Sequence, residues 1–280
     1  MVFLKVIGLV LLILLALYLL MIMPRIINKP SREPFTGVLY AHRGLFDNES
    51  DAPENSMAAF KKAVDGGYGI ECDVQLSKDG VPVIFHDFTL ERVTGQKGKV
   101  IDYTYDELLN FNLMNSQEKI PRFEDFLKMV DGKVPLIVEL KIERFDLSVC
   151  NKADELLSKY KGVYCIESFN PFGVHWYKKN RPEIMRGQLS DDFHKDKPEE
   201  FSGLIYFLLT YLFFNFLTRP DFIAFNHKYA DNISRRLCRY LYGTVAAAWT
   251  IKSEQQLEKA KKGFDIFIFD SFVPKSGAKL

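Results

Sequence analysis

The sequence predicts an α/β chain: a (β/α)8 TIM barrel preceded by one apolar N-terminal helix. Three observations carry this expectation. Short β-rich apolar runs alternate with helix-patterned segments over most of the chain, the signature of a parallel sheet with helical crossovers. One pair of runs lies too close together for a crossover, so nine candidates reduce to eight parallel strands. A length of 280 residues suits one barrel of about 250 residues plus an appendage.

The appendage comes first. Residues 6–23, VIGLVLLILLALYLLMIM, carry no charge, and as a helix they would cover roughly 27 Å, close to a bilayer's hydrocarbon core. We read 1–24 as a transmembrane anchor; the competing reading is a cleaved signal peptide, but MIMPRIINKP offers no small-x-small cleavage site. Residues 25–36, bearing proline and charge, form a linker. Lys5 precedes the apolar run, whereas Arg25, Lys29 and Arg32 follow it against Glu33, which leans the catalytic side toward the cytoplasm by the positive-inside rule.

Residues 37–280 form the expected barrel domain. Its strands are expected at 38–41, 70–74, 82–85, 135–140, 163–167, 184–188, 221–225, 244–249 and 265–269. Between them lie helix signatures such as PENSMAAFKKAVDGG, with proline near its start and glycine past its end, and SEQQLEKAKKG, with Ser253 as N-cap. LSKDG joins the second and third strands, so these form an antiparallel hairpin. With Lys78 and Asp79 as a two-residue loop, Ser77 pairs with Gly80 and Glu71 lies opposite His86, a register that one residue of loop length would shift. GLIYFLLTYLFFNFL, residues 203–217, is expected as an apolar insertion spanning about 200–219, in interfacial or re-entrant contact with membrane.

Composition excludes some functions. With 37 basic and 36 acidic residues, the formal net charge of +1 provides no global field for nucleic acid. Cys72, Cys150, Cys165 and Cys238 show no CxxC spacing and are read as core residues in a reducing compartment. There is no P-loop, no GxGxxG and no nucleophile elbow.

The polar residues converge instead at strand ends. Glu71 and Asp73 share a strand face, as do Glu139 and Lys141 in VELK, while His42 and Arg43 directly follow the first strand. Ionised carboxylates facing one another in a packed interior are costly, and a hard divalent cation, Mg2+ or Ca2+, resolves the conflict. The alternative is that Arg43 and Lys141 simply form salt bridges with these acids. Taken together, the acids, two histidines and two cations point to metal-assisted phosphoryl chemistry.

HRG, PENS, ExDV, SKDG, HDxxLxRxT (His86 to Thr94), IPRFEDFL, VELK, AWT and GFDxxxxD, in this order from about Val38 to Phe272, resemble the glycerophosphodiester phosphodiesterase family. The resemblance implies a metal-dependent TIM-barrel enzyme releasing an alcohol and glycerol 3-phosphate from deacylated phospholipids. It implies His42 and His86 as general acid and base, Glu71, Asp73 and Glu139 as metal ligands, and Arg43 and Lys141 as phosphate contacts. Trp249 would pack on the glycerol or alcohol, or else serve the core. Asn55 would orient His42 or its loop, or cap a helix. The substrate expected is a glycerophosphodiester; a lysophospholipid at the bilayer is the alternative, and a non-catalytic head-group binder is the reading from another class. His227 could also reach the pocket; His175 and His194 are read as packed or solvated.

Overall fold

A computed structural model describes residues 2–195 and 203–279. Strands β1 (Leu39–His42), β2 (Gly69–Leu76), β3 (Pro82–Ile84), β4 (Leu136–Leu140), β5 (Tyr164–Ser168), β6 (Arg186–Ser190), β7 (Phe222–Asn226), β8 (Val245–Ile251) and β9 (Ile266–Phe269) form one sheet. Its order is β1-β9-β8-β7-β6-β5-β4-β2-β3, and parallel pairing of β1 with β2 closes eight strands into a barrel. β3 is the antiparallel addition on β2. Each expected strand is present, most of them displaced by one or two residues toward the C-terminus.

Alternation along the strands divides the core in two. Val74, Leu136, Val138, Ile166 and Ile223 point outward into a layer shared with Phe60, Phe126 and Leu157 of the surrounding helices. Tyr40, Ile137, Phe222, Ala247 and Ile268 fill the barrel interior. Two rings fit there only because the neighbouring strand offers glycine: Tyr40 lies beside Gly69 and Phe222 beside Gly187. A Cβ on Gly187 would stand 2.2 Å from the Phe222 ring. The helix starts follow local chemistry, since Ser56 accepts from the amide of Ala59, Asn170 from that of Phe172, and Ser253, as expected, from that of Gln256.

The hairpin register differs from the expected one. Val74 pairs with Ile84, Gln75 with Val83 and Leu76 with Pro82, one residue away from the pairing of Glu71 with His86. The cause is the loop: Ser77 N–H donates to Val81 O at 3.0 Å, so Lys78, Asp79 and Gly80 make a three-residue turn with Gly80 at φ 76°.

The N-terminal helix spans Val2–Ile22 and is long and apolar enough to cross a membrane. Only its last turns touch the barrel, with Ile22 fully buried. The apolar run 203–217 forms helices Gly203–Thr210 and Asn215–Thr218, the described helical part of the link from β6 to β7. The preceding residues, 196–202, lie outside the described set, as do Met1 and Leu280 at the ends of the expected domains.

Gly187→Ala should lower unfolding stability by about 1–3 kcal/mol, because the Phe222 ring has no room to retreat inside a closed barrel. Equilibrium urea denaturation measures this; an unchanged midpoint would show that the interior has slack.

Candidate active site

The C-terminal ends of the barrel strands surround a cavity of about 460 Å³. His42, Arg43, Glu71, His86, Glu139 and Trp249 line it, so six of the eight expected site residues meet around one cavity. The other two, Asp73 and Lys141, are outside its lining but adjoin Glu139. Lys141 Nζ lies 2.9 Å from Glu139 Oε1 and 3.6 Å from Asp73 Oδ1, neutralising carboxylates rather than fronting the cavity.

Register builds the acid cluster. Glu71 pairs with His42, and Asp73 with Glu139, which in turn pairs with Glu167 of β5. All four acids are almost completely buried. Oxygens of Glu71, Asp73 and Glu139 come within 4.8 Å of one another. Burial, and then the neighbouring carboxylates, push Glu71 and Glu167 well above the ordinary carboxylate range. Burial raises Glu139 as well, against the pull of Lys141. Asp73 goes the other way: burial would raise it, but His86, Lys141 and Arg43 carry it below.

These residues fit a hard divalent cation. Among the described residues, the cationic side chains paired with these four carboxyls are Arg43 and Lys141. Asp73 Oδ1 and Glu167 Oε2 are buried without a hydrogen-bond partner. An all-oxygen donor set with surplus negative charge suits Mg2+ or Ca2+.

The turn after β1 sets the first histidine. Arg43 adopts φ 57°, a left-handed conformation costly for a residue with a Cβ. Its amide donates to Glu71 O at 3.0 Å and its carbonyl accepts from the Asn55 amide at 2.9 Å, which hold it there. Gly44 follows at φ 84°, where a Cβ would meet the Ala59 backbone at 2.9 Å. His42 Nδ1 lies 2.8 Å from Asp270 Oδ2, so that nitrogen carries the proton and Nε2 faces the acids, 3.9 Å from Glu71 Oε2.

The second histidine arrives by a route other than strand pairing. The ladder ends at Ile84, apart from one more bond from Phe85 N–H to Asp73 O at 2.9 Å. Phe85 then packs into a separate apolar cluster with Val83 and Leu90. The buried amide of Gln75 donates to Phe85 O at 2.7 Å and to Asp87 O at 2.8 Å, and His86 turns into the cavity. His86 Nδ1 lies 2.6 Å from Asp87 Oδ1, the same arrangement as His42 with Asp270. Burial holds both imidazoles below their ordinary value, reinforced by Arg43 at His42 and by Lys141 at His86.

A chain of ion pairs joins the two histidine loops. Arg43 Nη1 donates to Glu54 Oε1 at 2.6 Å; Arg92 grips both oxygens of Glu54 at 2.8 and 2.7 Å and reaches Asp87 Oδ2 at 2.6 Å. Burial opposes ionisation of Glu54, but Arg92 and Arg43 hold its carboxyl down, from 4.5 to about 2.

Other expectations fall into place around this core. Asn55 holds the His42 loop through its backbone amide, which donates to Arg43 O, and its Nδ2 donates to Asp73 Oδ2 at 2.9 Å, while Ser56 is the helix cap. Trp249 meets Phe169 edge-on at 5.6 Å on the cavity wall. His227 lies outside the cavity lining, His175 faces Leu217 O, and His194 is exposed. All four cysteines are free and buried.

Sequence reasoning assigned no role to Glu167, Asp270, Gln75, Glu54, Asp87 or Arg92. Signals existed for some: Glu167 ends a strand as Glu139 does, and Asp270 closes GFDxxxxD.

A family model described as the glycerophosphoryl diester phosphodiesterase family matches residues 42–271. A glycerophosphodiester phosphodiesterase from Caldanaerobacter subterraneus subsp. tengcongensis is 32% identical over 164 residues, which is 54% of this chain and 66% of that protein. The match thus takes in just under two thirds of that relative. The structure of an Oleispira antarctica phosphodiesterase in complex with the product sn-glycerol-3-phosphate superposes with TM-score 0.67 at 25% identity, over 84% of this chain and 93% of that one. A Thermotoga maritima glycerophosphodiester phosphodiesterase shares the fold, with TM-score 0.63 and 24% identity over 84% of this chain and 94% of that one.

Glu54→Gln should cost about 3 kcal/mol at neutral pH, the equivalent of its carboxyl moving from 4.5 to about 2. Because the folded value is the lower one, this stabilisation is complete above 4.5 and is lost as pH falls toward about 2. Urea unfolding of both proteins at pH 7 and at steps below 4.5 should show a narrowing gap. A gap independent of pH would mean that Glu54 is not the ionised partner of the two arginines.

Proposed function

This chain belongs to the glycerophosphoryl diester phosphodiesterase family, and from that premise we propose that it hydrolyses glycerophosphodiesters to an alcohol and glycerol 3-phosphate in lipid metabolism. One observation carries the reading: His42 and His86 line a single cavity, each with Nδ1 on its own carboxylate, together with the Glu71–Asp73–Glu139 cluster.

Glu71, Asp73 and Glu139 are the residues that would hold a divalent cation, Mg2+ or Ca2+. When bound, it supplies positive charge against the phosphodiester anion. The chain's own groups do the rest. Asp270 and Asp87 hold the imidazoles in the tautomer that leaves Nε2 to take or give a proton. Burial keeps both rings below their ordinary value, which favours the neutral imidazole as a proton acceptor. Arg43, fixed by Glu54, offers its guanidinium to the phosphate, and Lys141 limits the charge of Glu139 and Asp73. Trp249 and Phe169 give the glycerol or alcohol an apolar face.

Hydrolysis of lysophospholipids is a second reading. It is favoured by the apolar side chains of Trp249, Phe169 and Leu189 on the cavity lining, which suit a substrate richer in carbon than glycerol. A non-catalytic head-group binder loses support because both histidines are present and oriented.

Residues 1–24 are proposed as an uncleaved anchor. Retention is supported by the helix end itself: Ile22 is buried, and its carbonyl accepts from Asn215 Nδ2 at 2.8 Å, so removal would open a hole and cost that hydrogen bond. A cytoplasmic placement of the barrel rests on the basic residues 25–32 and the four free thiols.

His42→Ala and His86→Ala should each lower turnover of glycerophosphocholine by at least about a thousandfold with the circular-dichroism melt unchanged. Near-normal turnover in either variant would remove its role. Asp270→Asn acts on positioning alone, so kcat should fall about 10–100-fold with KM little changed. Chelator should abolish turnover, and Mg2+ or Ca2+ should restore it; full activity in chelator would exclude the cation.

A further inference from the structure

The N-terminal helix runs in a definite direction along the barrel. Tyr18 Oη is 2.8 Å from Ser234 Oγ, at the start of helix Ile233–Tyr242, which follows β7 on the cavity side. The Arg25 amide donates to Pro220 O at 3.0 Å, just before β7 begins at the opposite end. Residues 18–25 therefore descend from the mouth of the barrel to its base. Traced back, residues 2–17, exposed throughout, leave on the side of the mouth.

Length then limits the distance to the bilayer. Between Lys5 and Tyr18 the exposed part of the uncharged run, residues 6–17, measures roughly 18 Å at about 1.5 Å per residue, short of a hydrocarbon core of about 30 Å. A span that short leaves no spacer, so the rim beside Tyr18 must sit at or within the headgroup boundary.

The rim is built for that contact. Helix Gly203–Thr210 ends at the mouth: Leu209 O accepts from Ser190 Oγ at 2.9 Å, and Thr210 O from Asn232 Nδ2 at 3.1 Å. Its Leu204 and Phe207 are 67% and 42% exposed, and no residue from 203 to 217 carries charge. Phe207 meets Phe213, and Phe213 meets Tyr18, so this helix is continuous with the anchor. Phe145, 76% exposed after β4, adds another apolar tip on the same face. Inward from helix Gly203–Thr210, Tyr206, Phe193, Phe169 and Trp249 form a row, each ring within 6.0 Å of the next, that ends on the cavity wall.

We propose that the barrel lies mouth-down on the bilayer that its N-terminal helix crosses, with helix Gly203–Thr210 in the boundary between headgroups and acyl chains. The cavity then opens onto lipid headgroups, and the aromatic row gives an acylated glycerophosphodiester a path that leaves its chain in the membrane. The orientation rests on the anchor reading, and the substrate path on the diesterase reading.

The test uses the full chain in vesicles of phosphatidylcholine and phosphatidylglycerol. All four native cysteines are buried, so nitroxides can be placed selectively at Leu204→Cys, Phe207→Cys and Leu241→Cys. Leu241, 55% exposed, lies at the base end of helix Ile233–Tyr242. Labels at 204 and 207 should be accessible to oxygen and shielded from an aqueous nickel chelate, with the reverse at 241. Equal aqueous access at all three positions, or shielding only at 241, overturns the orientation. Leu204→Asp combined with Phe207→Asp should lower turnover of vesicle-borne lysophosphatidylcholine at least about fivefold and leave that of soluble glycerophosphocholine unchanged. Equal effects on the two substrates contradict the proposed path. Wild-type protein that hydrolyses neither would overturn the diesterase reading, while the label depths still decide the orientation.

Discussion

Four carboxyl groups, Glu71, Asp73, Glu139 and Glu167, are buried together at the strand ends, balanced among the described residues by Arg43 and Lys141. Much of the mouth serves this constraint. Asn55 gives Asp73 a hydrogen bond; Lys141 adjoins Glu139; the turn at Arg43 aims its own amide at Glu71. A barrel would be more stable with apolar residues at these positions, since clustered buried carboxylates repel and lose hydration. Such an arrangement persists where another cation completes it, which makes the cluster the most informative feature of the chain.

The histidines depend on the same framework. Each is fixed through Nδ1, and the loops that carry them are tied by the path Arg43–Glu54–Arg92–Asp87. Moving one loop breaks ion pairs belonging to the other. The two imidazoles, carried by loops from different strands, are thus set relative to each other, and not only to the barrel.

Much of this was legible in the sequence, and the reasons for the rest are physical. Strand alternation placed Glu71 with Asp73 and Glu139 near a mouth, because a period of two and a parallel sheet leave little choice. The hairpin register was not legible, since two- and three-residue turns both suit LSKDG; the cavity still gains His86, through Gln75 and the burial of Phe85. Glu54 and Arg92 went unassigned because a long-range ion pair has no local periodicity. Lys141 was expected on the phosphate, yet in the fold its ammonium lies nearest Glu139. The apolar run 203–217 was visible as such, but its place at the rim beside Tyr18 emerged only once β6, β7 and the N-terminal helix were positioned.

The site and the anchor share one geometry. The apolar N-terminal helix leaves from the cavity end of the barrel, and aromatic side chains join the cavity lined by acids and histidines to the apolar rim. The central claim is that the buried acids are a cation site, and calorimetric titration of chelator-stripped full chain with Mg2+ and Ca2+ tests it most directly. The account predicts one saturable site per chain that is lost in Asp73→Asn protein whose melt shows it to be folded. Absence of saturable binding, or binding unaffected by that substitution, would contradict it.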